Sequence, residues 1–304
     1  MKPVRIAGGY KLTDFISPML ATLSDEPAFD DPKWVFEIKW DGYRAVAEIA
    51  GEATRLYSRN GLSYNHAYPR IYNALKKIKG TAVVDGEIVV FDYAGKPSFN
   101  AIQNYNSRQD LLIQFQVFDC LSIDEQDITK KSLLERKGLL QDFLPESDYI
   151  KYCDHVVGDG KLLFEHAAKL GLEGVIAKRT SSCYYPGRRT KDWLKIKNVN
   201  TDDFVIVGYT DPQASRKYFG ALVIARRDNG KLVHAGEVGT GFTDKLLREL
   251  YEKLSRISRN TSPMSMKVTN KNRIHWVDPH YVAQVQYTEI TADGLVRHPS
   301  FLGL

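Results

Sequence analysis

Lys39 lies in the run Glu37-Ile38-Lys39-Trp40-Asp41-Gly42-Tyr43-Arg44, between two carboxylates and five residues before a second cation. An amine attacks an electrophile only in its neutral form, and a nearby cation and partial desolvation both favour that form. Trp34, Phe36 and Ile38 alternate with Val35 and Glu37, the period of a half-buried strand, and Asp41-Gly42 signals a turn directly after it. On this stretch alone, a surface hairpin with ordinary charges is as good a reading as a reactive lysine.

Further along, polar residues recur in apolar strand patterns. Glu87 stands within residues 81–91, a β-branched run that Asp85-Gly86 is expected to interrupt. Glu173 opens residues 172–178, which end in Lys178. A carboxylate in such surroundings needs a partner or a metal. Phe118 falls near the end of a strand at 114–121, and Arg59 in the turn Ser58-Arg59-Asn60-Gly61. In the run 193–197, Trp193, Lys195 and Lys197 share one face and Leu194 and Ile196 the other. Such a face suits a groove for phosphates; taken alone, a lysine-rich outer edge strand is the better reading. Together the residues offer a nucleophile, cations for phosphates, carboxylates for Mg²⁺ or ribose and an aromatic face for a base. The usual nucleotide fingerprints are missing: there is no GxxxxGK[ST] loop, and Gly239-Thr240-Gly241 lacks the third glycine of GxGxxG.

The elements that must hold these groups can be drawn from periodicity. Residues 1–33 are irregular and punctuated by Pro3, Pro18, Pro27 and Pro32. Strands are expected at 34–38, 45–49, 54–57, 81–91, 114–121, 172–178 and 193–197, and helices at 67–79, 132–143 and 159–170. Ser132 and Glu135 form a capping box at the start of the second helix. Residues 180–192 read as a basic, aromatic-bearing loop carrying Arg188, Arg189 and Lys191, and 198–203 as a polar linker. Strands at 204–210, 220–226, 231–238 and 281–290, with a helix at 244–257 and a polar loop to 272, suggest a small, partly open barrel of OB type.

At 304 residues, 43% apolar and 26% charged, the chain has room for two domains with ordinary globular cores. A net charge of +5 is compatible with nucleic acid without demanding it. Cys120, Cys153 and Cys183 form no CxxC pair, so neither a disulfide framework nor a zinc knuckle is expected, and a reducing, intracellular setting is. The sequence has no apolar run of membrane-spanning length and no leader pattern.

Taken in order, Glu37-Ile-Lys39-Trp-Asp-Gly-Tyr-Arg44, Ser58-Arg59-Asn-Gly61, Asp85-Gly-Glu87, Val117-Phe118-Asp119, Glu173-Gly-Val-Ile-Ala-Lys178 and Trp193-Leu-Lys195-Ile-Lys197 resemble the motifs of the covalent nucleotidyltransferases, most closely the ATP-dependent DNA ligases. The ending Thr291-Ala-Asp-Gly-Leu-Val-Arg-His-Pro-Ser-Phe-Leu-Gly303 further resembles the bacterial ligases of double-strand break repair. The resemblance implies an α+β chain of two domains. Residues 1–198 would be a nucleotidyltransferase (adenylation) domain of mixed and antiparallel sheet, and 199–304 an OB-fold barrel.

It also implies residue roles. Lys39 would attack the α-phosphorus of ATP and hold AMP, with Glu37 and Ile38 at the adenine and Phe118 stacked on it. Arg44, Arg59, Lys178, Lys195 and Lys197 would contact sugar or phosphates, and Glu87 the ribose. Glu173, with Glu87 and Asp41, would bind Mg²⁺ or Mn²⁺. Arg188, Arg189 and Lys191 are expected at the DNA, although a solvated charged loop is an equal reading. The implied substrate is nicked double-stranded DNA, and the implied partners are bacterial Ku and polymerase or nuclease modules. A monomer in the bacterial cytoplasm, at the nucleoid, is expected.

Ligases of this type carry an Arg-x-Asp-Lys element after the final Phe-x-Gly-Leu to orient pyrophosphate. The sequence stops at Leu304, so truncation or weakened self-adenylation is expected, as is a minimal core without an N-terminal helical DNA-binding domain. The alternatives are a capping-type guanylyltransferase, which shares the Lys-x-Asp-Gly motif, and a non-catalytic DNA-end-binding module.

Overall fold

The structure, a computed structural model, describes residues 15–24, 26–105, 110–212, 216–264, 273–291 and 293–304. The chain divides into two compact units, Met1–Asn198 and Val199–Leu304.

The first unit is built on two sheets. One runs β1 (Leu20–Leu23), β2 (Asp31–Ile38), β9 (Val156–Gly158), β10 (Gly174–Arg179) and β11 (Arg189–Lys197), in the order β1-β11-β10-β2-β9. The other joins β3 (Tyr43–Ile49), β4 (Arg55–Ser58), β5 (Ala82–Val90), β6 (Ile113–Ile123), β7 (Gln126–Asp127) and β8 (Ile150–Tyr152), in the order β4-β3-β5-β6-β7 with β8 beside β6. Helices α1 (Pro69–Lys76), α2 (Phe99–Gln103), α3 (Leu133–Phe143) and α4 (Gly160–Lys169) complete the unit.

Each sheet has an outer core. Ile71 and Leu75 of α1 bury against Ala47, Val84, Ile88 and Phe115 of the second sheet. Ala167, Leu163 and Phe164 of α4 pack with Trp34, Phe36, Val175, Ala177 and Ile196 of the first. A third cluster draws on both sheets: Val46, Tyr57, Val83, Phe118 and Leu121 meet Met19, Tyr184 and Trp193. Ser132 caps α3 as the sequence suggests, its side chain accepting from Glu135 N while the Glu135 carboxylate takes the Ser132 N–H.

Several expectations are corrected. Strand β2 is buried on both faces, with Trp34, Val35, Phe36 and Glu37 all nearly inaccessible, because one face meets α4 and the other looks into the unit. Asp85-Gly86 makes no turn; it lies inside the nine-residue β5, where a bulge against β6 absorbs it. The basic loop is shorter than 180–192, since β11 begins at Arg189 and pairs in parallel with β1. Glu173 precedes β10 rather than lying in it. The linker at 198–203 is mostly strand: β12 (Asn200–Thr210) takes Thr201, Asp202 and Asp203 into pairing with a later strand, and their polarity marks exposure.

The second unit is organised on β12, with β13 (Leu222–Asp228), β14 (Lys231–Val238), α5 (Asp244–Ser255), β15 (Ser258–Arg259), β16 (Ile274–Val277), β17 (Val282–Tyr287) and β18 (Ser300–Gly303). Strand β12 pairs with β13 along one edge; along the other, its first half pairs with β17 and its second with β16. β13 carries β14, β17 carries β18, and a parallel bridge from Thr240 to Ser300 brings β18 back to the end of β14. That closes a small ring of strands, the OB-type barrel, with Leu247, Leu250 and Leu254 of α5 buried in its core. Part of the expected loop before 272 lies outside the described residues. No helix among the described residues is long and apolar enough to cross a membrane.

Candidate active site

Pairing register sorts the first sheet into two faces. Gly174 pairs with Lys197, Ile176 with Glu37 and Lys195, and Lys178 with Val35 and Trp193, while Lys39 N donates to Gly174 O over 2.9 Å. Alternation therefore puts Glu37, Lys39, Ile176, Lys178, Trp193, Lys195 and Lys197 on one face. Gly174 holds φ +137°, and a Cβ there would collide with Ile196 O, so glycine is required where β10 starts beside Glu173. Ile38 is the exception among the expected residues: its side chain packs in the α4 cluster on the opposite face.

Lys39 Nζ donates to Glu173 Oε2, and Lys197 Nζ lies 3.2 Å from Glu173 Oε1. Burial works against ionisation of Glu173, but Lys39 and then Lys197 outweigh it and hold the carboxyl below its usual range. Burial, reinforced by Lys197, Arg189 and Lys39, lowers Lys195. The corner thus carries more positive charge than Glu173 offsets. The cation expected to activate Lys39 is already neutralised: Arg44 donates from Nε and Nη2 to the two oxygens of Asp85, each at 2.6 Å. Lys39's immediate partner is a carboxylate instead.

Deeper in, one carboxylate joins two lysines. Lys137 Nζ donates to Glu37 Oε1 at 2.6 Å, and Lys178 Nζ lies 2.7 Å from Glu37 Oε2. Lys178 Nζ also sits 4.3 Å from both the Phe118 and the Trp193 ring centroids, and the Arg44 guanidinium is 4.5 Å from that of Phe118. Phe118 is 8% exposed beneath these cations, and Ile176, beside Glu37 and Lys195, is the half-buried apolar side chain on this face.

Glu87 pairs in register with Arg44, and burial pushes its carboxyl up to about 7 against the pull of Arg44 and Lys39. Asp41 is half-buried in the turn before β3, close enough to raise Glu87 further. Arg59 stands exposed after β4, and Arg188 and Lys191 are exposed around the start of β11. Arg189 is committed, donating to the Ala21 carbonyl.

Four contributing residues escaped the sequence reading. Asp85 looked like part of a turn. Tyr184 donates to Asp85 Oδ2 at 2.6 Å and accepts from Met19 N, locking the residue before β1 to β5. Ile176 was hidden inside its motif. Lys137 comes from α3, 100 residues from Glu37, where no local signal exists.

Among the described residues there is no group of three or more His, Cys, Asp or Glu side chains able to hold a metal. One ionised carboxylate, Glu173, facing a cationic corner fits a hard divalent ion held chiefly by substrate phosphates, the habit of Mg²⁺, rather than a protein cage.

Residues 18–197 match the model of the ATP dependent DNA ligase domain, and residues 215–304 that of the ATP dependent DNA ligase C terminal region. The chain is 34% identical to the multifunctional non-homologous end joining protein LigD of Pseudomonas aeruginosa over 98% of its own length and 36% of that protein's. It is 36% identical to the multifunctional non-homologous end joining DNA repair protein LigD of Mycobacterium tuberculosis over 96% of itself and 38% of that protein. The chain thus spans little more than a third of these relatives. A solved structure of a mycobacterial DNA ligase D with ATP and MES is similar at a TM-score of 0.59 and 35% identity, covering 96% of this chain and 95% of that one.

Proposed function

The chain belongs to the ATP-dependent DNA ligase family, and from that premise we propose that it seals 5′-phosphate/3′-OH nicks in double-stranded DNA through a lysyl-AMP on Lys39. The observation that carries this reading is the placing of Lys39, Glu173, Lys195 and Lys197 at one corner of one sheet face. A nucleophilic amine there adjoins cations suited to phosphates. Capping-type transfer of GMP is not favoured, since the family matches span both units as DNA ligase.

In the first step the Lys39 ammonium releases a proton to solvent and parts from Glu173; the amine then attacks the α-phosphorus, the P–N bond forming as the bond to pyrophosphate breaks, and a second nitrogen proton leaves to solvent. Lys195 and Lys197 hold the phosphates, and Lys178 adds charge from behind. Ile176 and Phe118 offer apolar surface to the base, with Glu37 and the backbone at Ile38 at its edge. Arg44 and Arg59 serve the sugar and phosphates, and Glu87 the ribose. A divalent cation bound by Glu173, with Glu87 and Asp41, would neutralise charge developing on the phosphates. AMP then passes to the 5′-phosphate of the nick, and the adjacent 3′-OH displaces it. Arg188, Arg189 and Lys191 are assigned to the DNA. Action in end joining, beside Ku and polymerase or nuclease modules, as a monomer at the bacterial nucleoid, extends the same proposal. Its support is the role of the LigD relatives and the motif resemblance.

Intact mass after incubation with ATP and Mg²⁺ tests the core of the reading. Wild type gains one AMP and Lys39→Ala gains none; a label retained by Lys39→Ala moves the nucleophile elsewhere.

A further inference from the structure

Among the described residues, the buried charges of the first unit pair off with one exception. Arg44 answers Asp85, and Arg136 answers Asp119 through two hydrogen bonds of 2.8 Å. Glu37 instead answers two ammonium groups, Lys137 and Lys178, and all three side chains are at most 2% exposed. The trio therefore carries one uncompensated positive charge. Leaving a charge unpaired in a protein interior is expensive, and what offsets it here is weak: the Phe118 and Trp193 rings, and Phe118 O at 3.4 Å from Lys178 Nζ.

The two lysines are not equivalent. Lys137 reaches Glu37 from α3, outside the sheet, and is fixed by a second acceptor, Cys153 O at 3.1 Å, with the Tyr152 ring centroid 4.7 Å away. Lys178 stands on the Lys39 face with Trp193 and Lys195. Burial opposes the charge on both, yet Lys137 is raised by Glu37, whereas Lys178 is lowered, with Lys137 adding to the effect of burial. Lys137 is thus the settled partner of Glu37, and Lys178 the excess cation.

We propose that Lys137 is a positioning residue of the nucleotide site: by taking up the charge of Glu37, it leaves Lys178 as an uncompensated cation for the phosphates of ATP. Without Lys137, Glu37 and Lys178 close into a neutral buried pair and the site loses a full charge of attraction. The inference rests on the ligase reading above and adds to it a residue outside every recognised motif.

The test is self-adenylation rate against ATP concentration, followed by covalent AMP label, with melting curves as the check on folding. Lys137→Gln and Lys137→Met raise KM for ATP about tenfold or more while the maximal rate falls less, the scale of one charge in a partly shielded interior. Lys137→Arg, which keeps the charge, stays within about threefold of wild type. The double variant Lys137→Met/Glu37→Gln restores a net charge of one and recovers most of the lost affinity for inorganic triphosphate, a competing anion with no base for position 37 to hold. That variant, which keeps the net buried charge of the wild-type trio, also decides the matter if the single ones do not fold. An unchanged KM in a folded Gln or Met variant, an equal loss in the Arg variant, or no recovery in the double variant each overturn the inference. Wild type that takes no label overturns the ligase reading itself.

Discussion

Glu87 shows how one residue's surroundings become measurable. Its carboxyl, ordinarily near 4.5, is pushed up to about 7, chiefly by burial. Well below pH 4.5 the group is neutral in folded and unfolded chains alike, so burial costs nothing. As pH rises toward 7 the unfolded chain sheds the proton first, and folding loses stability over that window. Glu87→Gln cannot ionise, so its melting temperature should gain on wild type between pH 5 and pH 8 by the equivalent of about 2 kcal/mol. A gap independent of pH would show that Glu87 is not held neutral by the fold. At this scale the sequence offered Lys39, Glu173, Lys195 and Lys197 as polar positions in or beside apolar strands, and only their order along the chain singled them out; the structure brings them to one corner. The sequence was least readable at Asp85 and Lys137. An Asp-Gly pair signals a turn until the neighbouring strand is known to bulge, and a helix lysine gives no sign of the carboxylate it meets across the unit.

Elements test the same logic one level up. The capping box at the head of α3 is solvent-exposed and local, so Ser132→Ala should cost about 1 kcal/mol in denaturant melts and leave adenylation intact. Asp85→Ala is a different case. It strips Arg44 of its bidentate partner, leaves the Tyr184 hydroxyl without its acceptor and frees Met19 from β5, so a loss of about 3–5 kcal/mol is expected. Comparable losses in the two variants would mean that Asp85 does not hold Arg44 and Tyr184 together as described. Element boundaries follow the same division between local and distant causes. Helices α3 and α5 lie close to where periodicity and capping put them. Strands β1, β8, β9 and β18 are only three or four residues long and exist by pairing with distant partners, so no local pattern marks them. The polar start of β12 looked like a linker for the same reason, since its partner β17 lies about eighty residues downstream.

For the whole molecule, a net charge of +5 is too small to hold DNA as a uniform field, so binding has to come from where the cations are placed. Arg188 and Lys191 are exposed at the start of β11, whereas Arg189 spends its guanidinium on the Ala21 carbonyl and thereby ties β11 to β1. The three basic residues should therefore separate by assay. Each phosphate contact steepens the fall of log Kobs with log salt by about 0.9 on duplex DNA. The pair Arg188→Ala/Lys191→Ala should flatten that slope by about two contacts for nicked duplex, leave lysyl-AMP formation unchanged, and leave the melting temperature where it was. Arg189→Ala should lower the melting temperature with a smaller change in slope, because a structural tie is lost before a phosphate contact. If the double variant binds with an unaltered slope, these side chains are a solvated charged edge and the DNA surface lies on other residues. If Arg189→Ala flattens the slope as much as the others without loosening the fold, its contact with Ala21 yields to DNA, and all three act as one patch.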